Sequence, residues 1–156
     1  METSNIEDDL YVEHEDIIGR HQDEKASPEA LSIRSFVVVA ETGGDYAELN
    51  QRMLELNKKL SIPVDMMGRN FNKDKNLITV PENDPDKFYA GKYFPRRYPS
   101  ENLSLEYLKF YKKDVKDNTI ALVTGIYKSK EQAQKAINKM NIDAFIVESE
   151  VKFGNN

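Results

Sequence analysis

The chain has 156 residues, no cysteine and a formal charge of -5, with 39% hydrophobic and 31% charged residues. The lack of cysteine excludes disulfide frameworks, thiolate zinc sites and cysteine nucleophiles, and a chain of this length can bury a core without such staples. The charge is uneven: residues 1–30 hold ten acidic residues against two basic ones, and the rest hold 17 against 20. The acidity therefore belongs to the N-terminal segment, which argues against a globally acidic mimic of nucleic acid.

Residues 1–32 read as an acidic, mostly disordered leader, with Glu7-Asp8-Asp9, Glu13, Glu15, Asp16, Asp23 and Glu24 among few apolar residues. Leu10-Tyr11-Val12 and Ile17-Ile18 are its two apolar patches. His14 and His21 lie there too, and read as incidental because a metal site needs fixed geometry. No metal and no cofactor is expected. The segment has no long apolar stretch of the kind an export signal carries. The two locations open to the chain are the cell envelope, if an export signal precedes it, and the cytoplasm, if Met1 is the native start.

A single domain is expected over residues 33–153, built from a strand–helix–strand pattern that occurs twice. The first strand spans Ile33 to Glu41 around Phe36-Val37-Val38-Val39-Ala40, the longest apolar run and far too short to cross a bilayer. Gly43-Gly44 turns the chain, Asp45 caps a helix, and Tyr46, Leu49, Met53, Leu56 and Leu60 make one apolar stripe. Pro63 ends the helix and opens a second strand, Val64 to Asn70. Asn72 to Asn76 is a hairpin turn, after which Leu77 to Val80 pairs back. An insertion follows over residues 81–118. It holds four of the six prolines, and the spacing of Leu103, Tyr107, Phe110 and Tyr111 predicts a helix over Ser100 to Tyr111. The second copy has a strand from Thr119 to Tyr127, a helix capped by Ser129 with Gln132 as its capping-box partner, and a strand from Ala144 to Val151. Ala133, Ala136, Ile137 and Met140 form that helix's inward stripe. Two such halves predict an α+β, ferredoxin-like βαββαβ fold: one antiparallel sheet, two helices on one face and a long insertion between the halves.

The second half resembles the SPOR (sporulation-related repeat) family, whose half-repeat is an apolar strand, a Gly-aromatic turn, a helix carrying alanine and a second apolar strand. Here that pattern is Ile120-Ala121-Leu122-Val123-Thr124-Gly125-Ile126-Tyr127, then Ser129 to Ala133, then Asp143-Ala144-Phe145-Ile146-Val147. The first half, residues 35–67, is looser and lacks the aromatic after its strand. The resemblance implies a non-enzymatic module of the bacterial cell envelope that binds peptidoglycan glycan strands. The insertion is longer than the family's central connection.

The strongest candidate site is Lys87 to Tyr98, with five aromatic and four basic residues in twelve positions and no acid. Tyr89, Tyr93 and Tyr98 offer faces for a sugar ring, and Lys92, Arg96 and Arg97 offer charge for a carboxylate. The same mix suits single-stranded nucleic acid, although the low overall basicity counts against that partner. The competing reading is an aromatic lid on the sheet with a solvated basic rim. Thr124, Tyr127 and Lys128 are candidates from the strand end, against the reading that Tyr127 is a sheet residue and Lys128 a turn charge. Glu82, Asp84 and Asp86 read as loop solvation, lacking an EF-hand's spacing and glycine. No nucleophile–base pair, GxSxG or phosphate loop occurs, so no enzymatic activity is expected. The alternative function is a protein-interaction module, an adaptor or an inhibitor of a partner protein, favoured by the charged leader.

Overall fold

Apolar β-branched runs in the middle of the chain build the central strands. The computed structural model describes residues 32–152; the leader and the C-terminal tail lie outside them. Strand β1 (Ser32–Gly43) runs through the sheet centre, antiparallel to β5 (Ile120–Tyr127) on one side and β6 (Phe145–Lys152) on the other. Its partners run from Phe36↔Tyr127 to Gly43↔Ile120, and from Ser32↔Lys152 to Val39↔Phe145. Strand β4 (Ser104–Tyr107) pairs antiparallel with β5, completing the order β4-β5-β1-β6. A second sheet is the hairpin of β2 (Asn70–Asn72) and β3 (Leu77–Thr79). Among the described residues the architecture is α+β, with a mostly antiparallel sheet and two helices, and it is compatible with a ferredoxin-like arrangement.

Helix α1 (Tyr46–Leu60) begins where Asp45 accepts a hydrogen bond from the Glu48 amide at 3.2 Å. It ends at Ser61, which takes the left-handed conformation at φ 57°. Helix α2 (Lys130–Met140) begins where Ser129 accepts from the Gln132 amide at 3.1 Å. Its left-handed terminator is Asn141, at φ 56°. Leu49, Met53 and Leu56 of α1 and Ala133, Ala136 and Met140 of α2 share one apolar cluster with Val38, Leu105 and Leu122. Both helices therefore cover the same face of the sheet. On the opposite face Val37, Val39, Ala121 and Val123 are fully buried beneath Leu108 and Tyr111.

Two expectations are corrected. No continuous strand spans residues 64–70: Val64 makes a single parallel bridge to Leu103, and the chain then turns before the short β2. No helix spans residues 100–111. That segment is β4 followed by one 3-10 turn, Leu108–Phe110. The strand beside β5 thus comes from inside the insertion. Its presence there explains why the opposite sheet face is covered: the chain leaves β4 directly across that face.

Among the described residues no helix is long and apolar enough to cross a membrane.

Candidate functional site

The aromatic and basic insertion is organised by an acid ten residues downstream of Arg96. Glu106, on β4, is fully buried. A tight turn at Met67 (φ 54°) and Gly68 (φ 77°) sends Arg69 inward to meet it. The guanidinium donates to both carboxylate oxygens, at 2.7 Å (Oε1) and 2.6 Å (Oε2). It also donates to the carbonyls of Met66 and Phe94, at 2.7 Å each. Tyr93 donates its hydroxyl to Glu106 Oε1 at 2.8 Å and accepts from the Tyr107 amide at 3.1 Å. Arg96 gives its guanidinium to the carbonyls of Asn102 (2.8 Å) and Ser100 (2.9 Å) and to Ser104 Oγ (2.8 Å). Tyr111 closes the network by donating to the Arg96 carbonyl at 2.7 Å.

The electrostatics follow from this packing. Burial alone would raise the Glu106 pKa, but the charge and hydrogen bonds of Arg69, with help from Ser104 and Arg96, hold it below the usual 4.5. Burial lowers Arg96, partly offset by Glu106. Burial and the neighbouring carboxylate push the Tyr93 and Tyr111 hydroxyls well up, so both stay protonated donors.

Of the residues singled out from the sequence, Tyr93 and Arg96 are therefore core, each 2% exposed, and neither can face a ligand. Thr124 is also fully buried. Tyr89 is half-buried, wedged between Phe88 (5.0 Å) and Phe94 (4.8 Å). Lys92 lies over the exposed ring of Phe88 at 5.7 Å. Arg97 stacks on Tyr111 at 5.4 Å and donates to Ser149 Oγ. Tyr98 is half exposed. Tyr127 folds over Gly125 and donates to Glu101 at 2.7 Å, and burial with that acceptor raises its pKa. Lys128 is exposed, and its amide donates to the Gln132 side chain. The eight do not converge: two lie inside the network, and the others are spread around its outer side. Glu82 is held by Lys75 at 2.6 Å, while Asp84 and Asp86 accept loop amides. His14 and His21 lie outside the described residues.

A different surface gathers the features expected of a site. An open groove of about 540 Å³ lies between the N-terminal end of α1 and the β2–β3 hairpin. Gly44, Asp45, Tyr46, Ala47, Asn50, Phe71, Lys73 and Asn76 line it. Tyr46 and Phe71 stack at 4.6 Å with their planes 12° apart. Burial raises the Tyr46 pKa, opposed by Arg69, so the hydroxyl is a neutral donor and acceptor. The Tyr46 hydroxyl, the Asn50 and Asn76 amides and the Lys73 ammonium make no hydrogen bond or ion pair among the described residues. The groove thus combines an aromatic floor, neutral donors and acceptors, and one cation. Sequence reading placed Tyr46 in the apolar stripe of α1 and gave Phe71 no role. Only the hairpin brings the two rings together, across 25 residues of chain.

Compared with known proteins, the chain matches no family model, no curated protein and no solved structure.

Proposed function

We propose that this chain is a non-enzymatic, SPOR-like binding module that takes glycan strands, most directly those of peptidoglycan, in the groove between α1 and the β2–β3 hairpin. The observation that carries the reading is the stacked Tyr46–Phe71 pair bordered by Asn50, Lys73 and Asn76. A sugar ring has an apolar face that packs on an aromatic ring and a rim of hydroxyls that pair with amides, a pattern common to small-molecule sites. Lys73 supplies a counter-charge for a sugar carboxylate. The likeness of the second half to SPOR repeats supports the ligand class. The groove sits at the turn after β1. The covered sheet face and the buried Tyr93 and Arg96 leave the insertion itself a structural part.

The test is sedimentation of the full chain with purified peptidoglycan, intact and stripped of stem peptides by amidase. Retention that rises on stripping, and is lost in Tyr46→Ala and Lys73→Glu with circular dichroism unchanged, supports the reading. No retention on either polymer overturns it.

One observation favours a second reading, a protein-interaction module: the outer edge of β6 pairs with no strand among the described residues. Such an edge can accept a strand from a partner.

A further inference from the structure

The groove between α1 and the β2–β3 hairpin has one wall on a 15-residue helix and the other on two strands of three residues each. A two-stranded hairpin is marginal by itself, so its place must be fixed from outside. Two adjacent residues of β4 fix it. Glu106 holds Arg69, the residue just before β2, through both carboxylate oxygens. The Tyr107 hydroxyl accepts a hydrogen bond from the Ile78 amide of β3 at 3.0 Å. Ile78 is the cross-strand partner of Phe71, and Phe71 stacks on Tyr46 at 4.6 Å. Tyr107 is itself held firmly. Its amide donates to the Tyr93 hydroxyl at 3.1 Å, its ring meets Tyr93 edge-on at 5.0 Å, and its backbone pairs with Ile120 of β5. Burial raises its pKa, opposed by the Ile78 amide, so the hydroxyl stays neutral.

We propose, resting on the glycan reading, that Tyr107 is a positioning residue for that site. Its hydroxyl fixes β3, the Phe71–Ile78 pair carries the constraint across the hairpin, and Phe71 is thereby held parallel to Tyr46. Tyr107 does not line the groove and acts only through these two residues. Cross-strand partners share one face of a hairpin, so a shift of Ile78 moves Phe71 with it. Without the hydroxyl, the Ile78 amide is left buried and unpaired, and the hairpin must move to find it another acceptor. Rings held in place before a sugar arrives need not be ordered by it, so loosening them costs affinity while the sheet stays intact. The insertion thus acts, through β4, on a site that it does not line.

The experiment compares the full natural chain with Tyr107→Phe, which removes one oxygen and keeps the ring. Nuclear Overhauser contacts between the Tyr46 and Phe71 rings are measured without ligand, and half-retention is measured on amidase-stripped peptidoglycan. In Tyr107→Phe the ring contacts should weaken, and half-retention should need about three- to tenfold more protein, the range that one lost hydrogen bond gives. Circular dichroism should be unchanged. Met140→Ala is the control: it loses stability at the end of α2, away from the groove, and should alter neither measurement. Unchanged ring contacts in Tyr107→Phe, or weakened contacts with unchanged retention, overturn the proposal. Equal weakening in Met140→Ala also overturns it, because the effect then follows stability alone. If the natural chain is not retained at all, the glycan reading falls, and the ring contacts alone decide whether Tyr107 holds the groove.

Discussion

Glu106 shows how one residue can set the meaning of its neighbours. A carboxylate at 0% exposure is stable in its charged form only while Arg69 holds both its oxygens. Arg69→Met leaves that charge buried and unpaired, and the expected loss is about 3–5 kcal/mol in urea unfolding at neutral pH. Replacing both partners, Arg69→Met with Glu106→Leu, should recover a good part of it, because two apolar groups need no partner. The pH dependence has a definite sign. The folded pKa of Glu106 lies below its usual 4.5, so its contribution is full above that value. It is lost progressively as pH falls through the depressed folded value. Acid unfolding of Glu106→Gln should therefore be flatter below pH 4.5 than that of the natural chain. An identical acid limb in both would assign the pH dependence to other carboxylates. The same residue explains why the ligand reading of the insertion does not hold for Tyr93 and Arg96. Tyr93 and Arg96 have the composition of a ligand site, and nothing local in Lys87–Tyr98 marks them as partners of an acid on a later strand.

At the scale of elements, periodicity was a good guide where one face of an element meets solvent. Both helices fall where their stripes and caps place them, because exposed lysines and glutamates alternate with buried leucines and alanines. Strand β4 lacks that contrast. Ser104, Leu105, Glu106 and Tyr107 are all buried, so no alternation marks a strand, and the spacing of Leu103, Tyr107 and Phe110 imitates a helix. Strand β5 offers an element-level test. A Cβ on Gly125 would lie 2.7 Å from Cε2 and Cζ of the Tyr127 ring, two residues along the same strand face. The Gly-x-Tyr pattern is therefore a packing device: the glycine makes room for the ring, and the ring reaches Glu101 in the preceding segment. Gly125→Ala should displace the ring, break that hydrogen bond and cost about 1 kcal/mol. In a Tyr127→Ala background the same change should be neutral or slightly stabilising, since alanine suits an extended backbone and narrows the unfolded ensemble. Equal costs in both backgrounds would mean that the glycine serves the backbone rather than the ring.

For the whole molecule, the insertion decides how the domain holds together. A surface loop of this length would open on its own, independently of the sheet. Here it supplies an edge strand of the sheet, buries Leu103 and Leu105 in the helix-side core, and lays Leu108 and Tyr111 across the other face. Its buried acid, Glu106, is tied to Arg69 from before the hairpin, and its Arg97 reaches Ser149 on β6. These ties cross from the first half of the chain to the last, so opening the insertion uncovers both faces of the sheet together. Unfolding should therefore be a single cooperative event. In native-state hydrogen exchange the amides of Ser104–Tyr107 should exchange only through global opening, with the same free energy and denaturant dependence as those of β5. Faster exchange at β4, with a shallow denaturant slope, would mean that the insertion opens by itself. The hairpin, whose Ile78 amide donates to the Tyr107 hydroxyl of β4, would then lose that tie, and the stacked rings of the groove would lose the preorganisation on which the glycan reading relies.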